Sequence, residues 1–178
     1  MIVRPGKTLV RQGEAGTGAW RVEHGILRAS LVTPDGRELV LDLLGPGDVT
    51  GDPAGSPAVC TVEALRPARL RVADGDQLTM ALAHLAGRTA ALACDVAWLD
   101  VATRIERRLH DLAARFGRPV PGGTLIPITL RQDEIASMAA TSRESANRAI
   151  GRLVERGRIG LERRGRYVVR TPIRLVRT

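Results

Sequence analysis

Residues 128–169 read ITLRQDEIASMAATSRESANRAIGRLVERGRIGLERRGRYVV, and the architecture of the chain turns on them. Thr129 followed by Gln132 has the form of a capping box, and Ile135, Ala136 and Met138 supply the apolar face of a helix of about ten residues. A second start follows at Thr141-Ser142-Arg143-Glu144, with Ala146, Ala149, Ile150, Leu153 and Val154 as its apolar face and Gly157 as its end. Ile159-Gly160-Leu161, the turn Arg163-Arg164-Gly165-Arg166, and Tyr167-Val168-Val169 then predict a β-hairpin tipped with arginine. Two short helices joined by a tight turn, with such a hairpin behind them, are the pattern of a winged helix-turn-helix.

The chemistry of the second helix agrees with its place. In a helix that enters a major groove by its N-terminus, Arg143 presents a fork that matches both acceptors of guanine. Glu144 has two roles open to it, cap at the third helical position or acceptor from a cytosine amino group. Arg148, one turn further on, faces the same groove. Thr141, Ser142 and Arg152 are expected on the sugar–phosphate backbone, as are Arg163, Arg164 and Arg166 of the wing. The competing reading is a ligand-binding or protein-docking module whose degenerate helix-turn-helix leaves its arginines in solvent.

Charge distribution favours DNA. The 178 residues carry 27 basic and 19 acidic side chains, a formal net charge of +8, and Lys7 is the only lysine. Residues 1–97 hold ten basic side chains against eleven acids, whereas residues 98–178 hold seventeen against eight. A near-neutral module is thus joined to a basic one, the electrostatic footprint of a nucleic-acid partner. With 44% hydrophobic residues and only 2% aromatic, the core must be aliphatic.

Upstream, the period of the sequence changes twice. From Ile2 to about Ala73, short apolar runs alternate with turn signals such as Pro34-Asp35-Gly36 and Gly45-Pro46-Gly47-Asp48, the pattern of a small antiparallel sandwich or barrel. After Gly75, Leu78, Leu85, Leu92 and Leu99 recur every seven residues, and Leu82, Thr89 and Val96 stand four after the first three. These are the d and a positions of three heptads, so the row is expected to form the interface of a homodimer; an amphipathic helix packed on its own β domain is the alternative. Asp100 then caps a helix with Val101, Ile105, Leu109, Leu112 and Phe116 on one stripe and Arg104, Arg107, Arg108 and Arg115 off it, stopped by Gly117 and Pro119. The expected fold class is α+β, divided as 1–77, 78–99 and 100–178.

Other chemistries find no support. Cys60 and Cys94 are too few for a disulfide framework or a thiolate cluster, and both are expected as buried apolar fillers. His24, His84 and His110 share no short ligand spacing with them, so no metal site is expected. Gly6-Lys7-Thr8 lacks the glycine five residues earlier that a phosphate-binding loop needs, and no nucleophile-elbow signature occurs, so no enzyme is expected. Charged residues interrupt every apolar stretch short of a membrane span or signal peptide, which leads to the expectation of a soluble cytoplasmic protein with no membrane partner.

At Asp133-Glu134-Ile135-Ala136, Thr141-Ser142-Arg143-Glu144 and Arg148 the chain resembles the CRP/FNR family of dimeric transcription regulators. The resemblance extends through Gln12-Gly13-Glu14, Gly25 and Leu43 to Asp48, which look like the family's cyclic-nucleotide-type β-roll (a jelly-roll-like double-stranded β-helix), and Leu99-Asp100-Val101, which looks like its hinge. It implies a homodimer on pseudo-palindromic double-stranded DNA, Arg143, Glu144 and Arg148 as base readers, contact with RNA polymerase, and a β-roll that senses a small-molecule effector or serves as a fixed scaffold. Two departures stand out. The usual turn glycine is Ala140. The phosphate cassette is shortened to Gly51-Asp52-Pro53-Ala54-Gly55-Ser56-Pro57-Ala58, and no Lys or Arg lies between Arg37 and Arg66. Asp52 and Thr89, the latter followed by Ala90 in place of the family's serine, are the residues expected at an effector pocket. Binding of cyclic AMP in the usual way is not expected, since a buried phosphate would lack a cation.

Overall fold

The computed structural model describes residues 1–170; the end of the expected third domain, 171–178, lies outside them. Two compact units divide at residues 93 and 94. The first holds two four-stranded antiparallel sheets, and the alternation seen in the sequence explains both. One sheet has the order β1 (Ile2–Val3), β8 (Ala68–Val72), β3 (Gly18–His24), β6 (Val49–Asp52). The other runs β2 (Thr8–Val10), β7 (Thr61–Ala64), β4 (Leu27–Val32), β5 (Glu38–Leu44). Val22 and Leu70 of the first share one aliphatic core with Leu27 and Val62 of the second, each at most 1% exposed. Pro34-Asp35-Gly36 turns β4 into β5, with Gly36 at φ 83°. Gly51, the first residue of the shortened cassette, falls inside β6, and only glycine fits there: a Cβ would sit 2.1 Å from the Gly18 carbonyl oxygen, at φ +130°.

Helix α1 spans Gly75–Trp98, starting three residues before the expected boundary. Asp74 accepts the Gln77 N–H at 2.8 Å and caps that start. The leucine row does not form one free seam. Leu78 and Leu92 are buried within the single chain, Leu85 packs against the β core and Leu82 is half-buried, whereas Thr89 and Val96 are exposed. Cys60 is buried as expected, but Cys94 is exposed on α1.

The second unit opens with α2 (Val101–Phe116), capped by Asp100, whose carboxylate accepts the Thr103 N–H at 2.8 Å. Ile105, Leu109 and Leu112 are buried as the stripe predicts; Arg104, placed off it, is buried too. Helices α3 (Gln132–Met138) and α4 (Arg143–Glu155) pack on α2 and on each other. A four-stranded sheet in the order β11 (Ile159–Glu162), β12 (Arg166–Arg170), β10 (Gly123–Leu125), β9 (Arg118–Val120) completes the unit. The sequence showed the hairpin β11–β12; β9 was hidden by Pro119, which sits on an edge strand where its missing N–H costs no ladder bond.

Candidate nucleic-acid interface and β-domain cavity

Helix α3 begins at Gln132 rather than at Thr129, because Glu134 reaches back to accept the Arg131 N–H at 2.7 Å and so defines Arg131 as the cap position. Its end is a Schellman motif: the Thr141 N–H donates to the Ala136 carbonyl at 3.0 Å and the Ala140 N–H to that of Ser137 at 3.2 Å. That motif demands a left-handed residue, and Ala140 supplies it at φ 50°. The Cβ of alanine is disfavoured there, while glycine carries more chain entropy when unfolded. Ala140→Gly is therefore expected to raise stability by a net of roughly 0.5–1 kcal/mol, read as a higher urea midpoint at unchanged slope. A lower midpoint would show that the turn relies on the methyl group.

Ser142 caps α4, its Oγ accepting the Ser145 N–H at 3.2 Å. Ser145 is thus the third helical residue and Glu144 the second, which removes Glu144 from the capping-box position. Its carboxyl is held below the usual carboxylate range by its own backbone N–H, then by the Ser142 hydroxyl, with the Arg143 and Arg148 charges adding to this. The anion therefore lies over the helix N-terminus, within reach of solvent. Ala146, Ala149, Ile150 and Leu153 hold α4 to the core, but Val154, predicted on that face, is 40% exposed.

With its apolar face buried, α4 presents Arg143, Glu144, Arg148 and Arg152 to solvent; Ser142 is exposed and Thr141 half-buried. Arg148 donates to the Ser145 Oγ at 3.0 Å, a weak tether. Asp100, the cap of α2, is held below the usual carboxylate range first by the Thr103 N–H, with the Arg152 charge as the last contributor. The wing loop joins Glu162 to Arg166 through Arg163, Arg164 and Gly165, with Arg164 at φ 64° and Gly165 at φ 68°. The Leu130 N–H donates to the Gly165 carbonyl at 2.9 Å, which pins the wing tip beside the segment leading into α3. Arg163 and Arg164 are exposed and Arg166 is half-buried. No salt bridge engages Arg143, Arg148, Arg163, Arg164 or Arg166 among the described residues.

The first unit contains a cavity of about 450 Å³ between β strands and the start of α1. Asp52 lines it, at 3% exposure, and its Oδ1 accepts the Val59 N–H at 3.1 Å. Thr89 does not: its hydroxyl donates to the Leu85 carbonyl at 2.9 Å and its side chain faces solvent. Nor are the walls devoid of cations. Arg21 from β3 and Arg88 from α1 both reach the cavity, Arg88 ion-paired there with the buried carboxylate of Asp42. Forty-six residues separate these partners, so no local pattern could have announced them. Among the described residues there is no cluster of His, Cys, Asp and Glu fit for a metal ion, and no helix long and apolar enough to cross a membrane.

Known proteins share both halves of this arrangement. Residues 1–84 match the family model of the cyclic nucleotide-binding domain, and residues 103–178 that of the Crp-like helix-turn-helix domain. Over 174 residues the chain is 32% identical to the CRP-like cAMP-activated global transcriptional regulator of Mycobacterium tuberculosis, an alignment covering 88% of this chain and 78% of that protein. Identity to the cAMP-activated global transcriptional regulator CRP of Haemophilus influenzae is 30%, over 85% of this chain and 75% of the other. Among solved structures, a CRP-family transcriptional regulator from Thermus thermophilus superposes with a TM-score of 0.79 at 26% identity, covering 96% of this chain and 92% of that one.

Proposed function

Since the chain belongs to the CRP/FNR family of transcription regulators, we propose that it works in the cytoplasm as a homodimer on pseudo-palindromic duplex DNA. Arg143, Glu144 and Arg148 read base edges in the major groove. Ser142, Thr141, Arg152 and the wing arginines Arg163, Arg164 and Arg166 hold the phosphate backbone. The observation that carries this reading is the exposed N-terminal turn of α4, where the Arg143 guanidinium engages no salt bridge among the described residues. A docking module with a degenerate helix-turn-helix has no such support.

For pairing, the proposal uses the heptad row Leu78, Leu82, Leu85, Thr89, Leu92, Val96 and Leu99, of which Thr89 and Val96 are exposed and Leu82, Leu85 and Leu99 half-buried in the single chain. The β domain biases the geometry of the bound dimer on taking up a small effector, and contact with RNA polymerase converts binding into regulation. Selecting bound sequences from random duplexes tests this. The recovered sites are expected to be two inverted half-sites about 34 Å apart, one helical turn, bound by a species of twice the chain mass in sedimentation. Recovery of single half-sites, or of no consensus, would reject it.

A further inference from the structure

The family model of the first unit implies a cyclic nucleotide, whose phosphodiester carries a negative charge, and the cavity walls do not suit one. Four carboxylates line the space, Asp42, Asp48, Asp52 and Asp76, against two guanidinium groups. Arg88 is spoken for by Asp42. Arg21, half-buried on β3, is the one cavity guanidinium with no ion pair among the described residues, too little to offset the remaining acids. An anion entering here would give up its hydration and meet a net negative wall.

Asp52 shows what the cavity would take instead. It is almost wholly withdrawn from water, it accepts a single backbone N–H, and no cation pairs with it among the described residues. Its charge is felt across the cavity wall: the neighbouring Cys60 thiol is pushed up to about 11, by burial first and by Asp52 second. A buried carboxylate with spare acceptor capacity is an energetic debt that a positively charged donor would relieve. The same lining also has an aliphatic part, Leu44, Val49, Leu82 and Leu85, with room for a compact apolar body.

We infer that this cavity binds a protonated amine with an apolar body, its ammonium group paired with Asp52, and excludes cyclic nucleotides. The inference rests on the β domain being the sensing half, yet it is tested without DNA, so its failure leaves the DNA-binding reading standing. Thermal unfolding of the full chain would be followed with four probes at matched concentration: phenethylamine, 2-phenylethanol, 3-phenylpropanoate and cyclic AMP. Phenethylamine is expected to raise the Tm, and the other three to leave it unmoved. In Asp52→Asn the apparent affinity for phenethylamine should fall roughly tenfold or more, as loss of a charged hydrogen-bond partner requires. Should that variant not fold, the comparison among the four probes on the wild-type chain decides alone. Stabilisation by cyclic AMP or by phenylpropanoate, an amine response that survives Asp52→Asn, or no response to any probe would overturn the inference.

Discussion

Replacing Arg143 by alanine is expected to weaken binding to the selected site by about 1–3 kcal/mol and to relax the preference at one base pair per half-site, while affinity for random DNA changes little. The expectation follows from position. Arg143 is the first residue of α4, exposed and without a salt bridge among the described residues, so its fork is available to DNA. Folding is not at stake, because the Ser142 cap and the buried alanine face of α4 do not involve it. Arg164→Ala serves as the contrast. That residue lies in the wing loop, and alanine keeps the same backbone strain at φ 64°, so only the charge is lost. All sequences should then bind less well alike, and the slope of affinity against salt should fall by about one counterion. Equal loss by the Arg143 variant on specific and random duplexes would assign it to phosphate instead of base.

A second large effect is expected far from the DNA. Ile105 is fully buried on α2, the helix against which α3 and α4 are set, and Ile105→Ala should lower stability by about 2–5 kcal/mol through lost burial and the cavity left behind. Urea unfolding monitored by circular dichroism measures it. Near the shifted midpoint, affinity for specific and random DNA should drop together, since both depend on the presence of a folded α4. At low temperature and no denaturant the sequence preference should return unchanged. A loss under 1 kcal/mol would mean that the unit collapses around the gap more readily than so tight an aliphatic core permits.

These two substitutions separate what a side chain says to DNA from what holds it there, and the division repeats in how the protein could be known. Within residues 128–169, start residues, apolar spacing and turn chemistry act over a few positions, so the helix-turn-helix and the wing were written locally, while the unusual place of Ala140 showed only through the family resemblance. The details that failed were also local competitions, as when Glu134 reaching back to Arg131 shortened α3, or when Ser142 capped α4 and left Glu144 at the second position.

By itself the sequence determined an α+β chain with an antiparallel half, a long helix and a basic reading head, because period, caps and charge balance are properties of neighbouring residues. Only the tertiary structure decided which way the long helix turns its leucines and which charges meet in the β domain. Leu85 could serve either its own core or a partner, and it packs against the β core. Arg88 reaches Asp42 across forty-six residues, and that long-range pairing, invisible to any spacing rule, leaves Asp52 as a buried carboxylate with no ion pair among the described residues.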